Sequence, residues 1–151
     1  MQNWIPITVD NLYDTKVAAL VDACRTAALA QGQTDPTSRD IQSCIDRIRA
    51  EVSGCRTNQV DSDLTTIPKS LLDLACRMII RKMKGRLEIE LTTQEMREWD
   101  SDESYLKRIQ LGAVPVDQPD APVVAPVEPR SNIQIASKNK PRATRQSMNG
   151  L

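Results

Sequence analysis

The residues that could carry chemistry are few. The 151 residues include no histidine, so the commonest general base is missing and a Cys–His nucleophile pair is excluded. Carboxylates remain, and a pair of them could act as general acid and base. The candidates are Glu88 with Glu90, and Asp100 with Asp102 and Glu103. Both groups lie among polar residues, which favours solvated surface, so the sequence predicts no catalytic residue.

A metal site is not expected either. Asp61-Ser62-Asp63 resembles the start of a calcium-binding loop, which needs oxygen ligands at its first and third positions. The glycine that such a loop requires is absent, and Leu72 stands where the loop needs a bidentate Glu. The cysteines at positions 24, 44, 55 and 76 contain no Cys-x-x-Cys pair, the usual mark of a structural zinc site. We therefore predict neither a metal nor a cofactor.

The cysteines are better explained as structural residues. Cys24, Cys44 and Cys76 fall on or beside apolar helical stripes, where we expect buried, reduced thiols. Cys55 lies in a polar loop and is expected to be exposed. The N-terminus shows no secretory pattern, and the most apolar stretch, 71–80, is interrupted by charged residues. These features predict a soluble protein made in a reducing cytoplasm, with no membrane partner.

The composition favours helices. Aromatic residues make up 3% of the chain and Phe is absent, so aliphatic residues, Met and Cys must form the core. Such a set suits helix-on-helix packing better than a sheet. Apolar residues recur at helical spacing in four segments, 10–30, 35–54, 68–84 and 92–112. The predicted class is all-α: a small bundle of about four helices.

Capping signals predict where these helices begin and end. A carboxylate at Asp10 is expected to cap the first helix, and Thr92 with Glu95 has the spacing of a capping box for the fourth. The third helix has the widest apolar arc, so we expect it to be the central and most buried one. The glycines predicted to end the later helices are Gly54, Gly85 and Gly112.

Two connecting segments point to contacts with other molecules. The loop at 54–66 is polar and about a dozen residues long, a length that is unusual in a compact domain unless the loop is functional. Segment 86–91 alternates apolar and polar residues, yet one strand alone is not stable. We expect an extended connector there, or an edge that pairs with another chain.

A basic face is predicted on the third helix. Arg77, Arg81 and Lys84 recur at i, i+4 and i+7. One interpretation is a solvated face opposite the core. The other is a face toward an acidic partner subunit or a DNA channel.

The composition changes after Gly112, which divides the chain into a helical domain, 1–112, and a C-terminal arm, 113–151. Five prolines between 115 and 129 favour an extended, semi-rigid segment. The arm's partner-interface candidates are the apolar Val123, Val124, Ile133 and Ile135 and the basic Lys138, Lys140, Arg142 and Arg145.

The second half of the domain resembles a known family. The residues that carry the resemblance are Pro68, Leu71, Leu72, Leu74, Ala75, Tyr105, Leu106, Ile109 and Gly112. A helix that opens after Pro, a connector and a capped helix that closes on Gly are similar to the head-to-tail connector (adaptor, or head-completion) proteins of tailed bacteriophages, over roughly 8–112.

That resemblance implies a virion structural protein without catalysis. It implies a homo-oligomeric ring, often dodecameric, between the portal protein and a tail or stopper protein in the phage neck, where it helps to retain packaged DNA. Non-specific contact with DNA in the channel is part of the same expectation. The alternative is a small helical DNA-binding regulator that uses the basic tail, against which the formal net charge of zero counts. An enzyme is the third hypothesis, with only the carboxylate pairs behind it.

Overall fold

The computed structural model describes residues 2–14, 18–30, 32 and 34–122. Those residues are mostly helical, which confirms the predicted class; the predicted arm beyond 122 lies outside them. The helices are α1 (Val9–Tyr13), α2 (Ala18–Ala30), α3 (Thr37–Gly54), α4 (Leu72–Arg86) and α5 (Thr93–Gln110). Two short strands, β1 (Trp4–Pro6) and β2 (Thr66–Pro68), and a 3₁₀ turn, Lys69–Leu71, complete the described elements.

The first predicted helix, 10–30, is wrong in its start and in its extent. Two helices occupy this range, and 15–17 lie outside the description. The Thr8 amide donates to Asn11 Oδ1 at 2.8 Å, so the chain enters the helix at Val9. Asp10 therefore lies in the first turn of α1 instead of capping it.

Helix α3 follows its sequence pattern closely. The Asp35 carboxylate accepts a hydrogen bond from the Thr37 amide at 2.9 Å and satisfies an amide that the first turn leaves open. α3 packs against both α4 and α5 and thus shares the central position predicted for α4 alone. Its buried apolar stripe is the predicted one: Ile41, Cys44, Ile45, Ile48 and Val52.

Helix α4 extends past its predicted end. The predicted stop, Gly85, is helical, and the helix ends at Arg86. Glu88, with φ of 55°, supplies the left-handed residue instead, and the Ile89 amide then donates to Lys84 O at 3.0 Å. Because the chain turns back there, 86–91 is not the extended connector or strand edge that its alternation predicted.

The two strands pair with each other, and the sequence did not predict them. β1 and β2 are antiparallel, with Ile5 opposite Ile67. Each strand is three residues long and ends in a proline, so neither shows a readable alternation. Trp4 and Ile67 are buried, which anchors the N-terminus to the helical core.

The loop between α3 and β2 is held by a buried arginine. The Arg49 guanidinium donates to the carbonyls of Asp61, Asp63 and Thr66, at 2.6 to 2.9 Å. It also lies 5.4 Å from the centre of the Trp4 ring. The loop at 54–66, expected to contact another molecule, is thus fastened to its own domain by the buried Arg49.

Residues 113–122, which we call the strap, pack back onto the domain. Gly112, with φ of 73°, ends α5 as predicted, and the Ala113 amide donates to Arg108 O. Trp4 Nε1 then donates to Asp117 O at 2.8 Å, and the Ser62 amide donates to Ala121 O at 2.9 Å. The contacts of the domain therefore continue past the predicted boundary at Gly112. The strap thus lies on its own chain.

The thiols agree with prediction at three of the four positions. Cys24, Cys44 and Cys76 are buried and free, whereas Cys55 is half-buried beside Gly112 rather than exposed. Among the described helices, none combines the length and the apolar character that crossing a membrane requires.

Candidate interaction surface

Helices α4 and α5 are joined by a set of ion pairs that we call the ion-pair seam: Arg77, Arg81, Lys84, Glu95 and Asp102. Asp102 accepts hydrogen bonds from Arg77 Nη2 and from Arg81 Nη2, each at 2.7 Å. Nearer the connector, Lys84 pairs with Glu95. The Lys84–Glu95 pair lies next to the connector between the two helices, and the pairs of Asp102 lie farther from it on both helices. Helix α5 therefore runs antiparallel to α4.

The seam is partly shielded from water, which strengthens it. The side chains of Asp102 and Arg81 are 7% and 9% exposed. Burial opposes ionisation of Asp102, but hydrogen bonds from Arg77 and Arg81 outweigh it and lower its pKa. The hydrogen bond from Lys84, with help from the Thr92 amide, lowers the pKa of Glu95 to about 2. These carboxylates are therefore ionised at neutral pH.

A second buried carboxylate ties α3 to α4. Asp40 is fully buried and accepts two hydrogen bonds from Arg86, at 2.7 and 2.8 Å. Lys82 lies 3.5 Å from the same carboxylate. The sequence placed Asp102 on solvated surface, and that placement is wrong because Asp102, like Asp40, is buried between two cations of α4.

The predicted basic face, Arg77, Arg81 and Lys84, does lie together, but α5 compensates its charge. Neither predicted interpretation included this compensation by α5, although Arg77 itself remains 42% exposed. The signal for this pairing was in the sequence: bases at 77 and 84 mirror acids at 102 and 95 across the connector. The arm candidates Val123, Val124, Ile133, Ile135, Lys138, Lys140, Arg142 and Arg145 lie outside the described residues.

A groove beside the seam was not predicted, and we call it the Trp99 groove. It has a volume of about 280 Å³. Its walls come from three helices, with Cys44 and Arg47 on α3, Met78 and Arg81 on α4, and Trp99 and Glu103 on α5. Trp99 Nε1 donates to Glu103 Oε1 at 3.1 Å, and the Arg81 guanidinium lies 5.9 Å from the Trp99 ring centre.

Apolar side chains of α5 are exposed in this groove, at Trp99, and next to it, at Met96. Met96 and Trp99 are 49% and 44% exposed, although they continue the helical stripe of the buried Leu106 and Ile109. They are three residues apart and so lie side by side on α5. Ser43 lines the groove on the α3 side, and Trp99 remains partly exposed. Periodicity alone therefore predicted a longer core stripe than the helix has.

The polar groups of the groove are suited to binding more than to proton transfer. Burial raises the pKa of Cys44 to about 12, so its thiol is protonated at neutral pH. Lys82 donates to Ser43 Oγ at 2.8 Å, but it also pairs with Asp40. Across the described part of the chain, no cluster of three or more Cys, Asp or Glu side chains is placed to hold a metal ion.

Comparisons with known proteins add no relative. No protein-family model matches the chain. No curated protein and no solved structure matches it either.

Proposed function

We propose that this chain is a non-enzymatic head–tail connector of a tailed phage, a virion structural protein of the neck. In this proposal it forms a ring, of twelve copies in the commonest form, between the portal protein and a tail or stopper protein. The ring helps to retain packaged DNA in the head. In this proposal the protein is located in the neck of the virion, after its synthesis in the host cytoplasm.

The observation that carries the proposal is the exposed apolar surface of α5 at the Trp99 groove. Exposed Met and Trp side chains beside a groove are typical of protein interfaces. A tryptophan with charged neighbours also has the character of an interface hot spot. The ion pairs beside the Trp99 groove hold α4 against α5, so the exposed apolar surface lies on two helices whose relative position is fixed.

The distribution of charge also supports assembly. Residues 123–151 hold five of the 20 basic residues and one of the 20 acidic ones, a net charge of +4. Residues 1–122 hold the other 15 and 19, a net charge of −4. A domain and a tail of opposite sign attract each other within an assembly of identical subunits.

The test is to interrupt the reading frame that encodes this chain in its source genome and to image the resulting particles by electron microscopy. We expect filled or emptied heads that are separate from finished tails. Complete, infectious tailed particles would contradict the proposal, and so would a genome that yields no particles when the frame is intact.

A gel-shift titration of the full chain tests the DNA-binding alternative. If the chain is a connector, we expect weak, sequence-independent binding, because the bases on α4 are compensated by acids on α5. A sequence-specific complex with a steep dependence on salt concentration would favour the regulator instead.

A further inference from the structure

We infer that the strap, 113–122, and the loop at 54–66 form one unit that opens as a whole, with Trp4 and Arg49 as the latch between them. The latch is a conformational device: a partner that binds either segment releases the other as well. It goes beyond the proposed function and does not depend on it.

Arg49 holds the loop in an all-or-none manner. Its guanidinium is buried. Its acceptors are three neutral carbonyls, those of Asp61, Asp63 and Thr66. A buried cation that loses some of its hydrogen bonds still carries the cost of its desolvation. The three attachments of the loop are therefore kept together or lost together.

Trp4 connects this arginine to the strap. The centre of its ring lies 5.4 Å from Cζ of Arg49, and its indole nitrogen donates to Asp117 O at 2.8 Å. The ring is 1% exposed, so an indole that moves with the strap also leaves its place beside the guanidinium. One side chain thus contacts both the strap and the group that holds the loop.

The strap and the loop also meet directly, around a cleft of about 490 Å³. Residues of the loop, the strap and the N-terminus line this cleft. The Ser62 amide donates to Ala121 O at 2.9 Å, and Asp61 forms a bridge with Pro122. Asp61 belongs to both sets of contacts, because its carbonyl is also one of those that the buried guanidinium holds.

The contacts of the strap lie mostly at the surface. The Asp120 carboxylate accepts a hydrogen bond from the Asn3 amide, and the Asp117 carboxylate accepts one from the Ser70 amide; both bonds are exposed. The two valines of the strap are partly buried, and Pro119 is its one buried residue. A segment with exposed hydrogen bonds and little buried apolar surface opens at a lower free energy than the core.

The consequence of opening is reach. The released strap spans about 33 Å when extended. The loop is released with it from the same cleft, so one partner can engage both segments.

Native-state amide hydrogen exchange of the full chain, followed by NMR at low urea concentrations, tests the latch. Three amides that donate to the strap report on its opening: Asn3, Ser62 and Ser70. Two amides that are bound within the loop report on the loop: Asp63 and Thr66. We expect one opening free energy and one urea dependence for both sets, each lower than for the core amide of Ile48 in α3.

Two results of this measurement would overturn the inference. One is a different opening free energy for the strap amides and the loop amides. The other is exchange of either set only together with Ile48, because the segments would then open only when the whole domain unfolds.

Trp4→Phe distinguishes coupled opening from independent opening. The variant keeps a buried ring beside Arg49 and removes the donor to the strap. We expect the opening constants of both the strap amides and the loop amides to rise about fivefold, as for the loss of one hydrogen bond. A response of the strap amides alone would show that the segments open independently, and the inference would fail.

Asp120→Ala is a second variant, at an exposed residue of the strap that leaves both latch side chains in place. It should raise the opening constants of the Asp63 and Thr66 amides by about twofold or more. Gln118→Ala is the matched control, because Gln118 contributes its backbone carbonyl, which alanine retains, and exchange should stay unchanged. An effect of Asp120→Ala that is confined to the Asn3 amide, its direct partner, would contradict the latch.

Discussion

Asp102 shows how a single residue changes the interpretation of its neighbours. The carboxylate sits between Arg77 and Arg81 and is itself buried. These two bases, which the sequence suggested as part of a partner-binding face, instead form ion pairs that hold α4 against α5 within the same domain. Asp40 does the same for Lys82 and Arg86. The sequence thus predicted least at the scale of single residues, because the charge of a side chain does not show which other charged side chain it pairs with.

Removal of Asp102 should destabilise the domain strongly. Asp102→Ala leaves the Arg81 guanidinium shielded from water without its carboxylate, and we expect a loss of about 3 kcal/mol in the free energy of unfolding. Urea denaturation followed by circular dichroism measures it. Asp100→Ala, two residues away and exposed, is the control and should change stability by less than about 0.5 kcal/mol. Equal effects of the two variants would contradict this role of Asp102.

Glu95 should contribute a pH-dependent part of the stability. Its pKa is about 2 in the folded chain and about 4.3 when unfolded, so its contribution is complete above about pH 5 and is lost as the pH falls toward 2. Because Glu95 is partly exposed, we expect the contribution to be on the order of 1 kcal/mol.

Glu95→Gln isolates this contribution, since Gln still fits the capping box. The variant should be less stable than the original chain at pH 7, and the difference should shrink as the pH falls and vanish only below about pH 2. A difference that stays constant over this range in urea denaturation would rule out the assigned pairing with Lys84.

At the scale of elements, regular periodicity was enough to find most helices, but it missed the start of the first helix and the end of α4. The stripe of α3 and the capping box of α5 were predicted from spacing alone. The end of α4 was not, because Glu88 takes the left-handed conformation that glycine usually supplies. The strap was assigned to the arm because its prolines resemble those of a linker, whereas its attachment depends on Trp4, more than a hundred residues earlier in the chain.

The strap should resist proteolysis that cuts before aspartate. In the native chain, cleavage before Asp117 and Asp120 should be slow compared with the denatured chain, because both lie in a segment bound to the N-terminus. Trp4→Phe keeps the buried ring but removes the donor to Asp117 O. It should speed cleavage there about fivefold, equivalent to about 1 kcal/mol.

Cleavage before Asp46, within α3, serves as the control for global unfolding and should be less affected by Trp4→Phe. If the native chain were cut at Asp117 as fast as the denatured one, the strap would not be part of the domain.

At the scale of the whole molecule, the fold class followed from composition, while the candidate site did not. A core without Phe and with few aromatics predicted helices correctly. The Trp99 groove is lined by residues of α3, α4 and α5, a tertiary arrangement that no local pattern contains. The proposed assembly does not follow from the fold alone. It is argued from an exposed surface, a tail of opposite charge and a family resemblance.

The central claim is that this chain works as a subunit of a phage neck. A cryo-electron microscopy reconstruction of particles from the source genome tests it most directly. We expect a ring between portal and tail in which each subunit shows the paired α4 and α5 with the Trp99 groove covered by protein. A neck built entirely from other chains, with this protein absent from the particle, would contradict it.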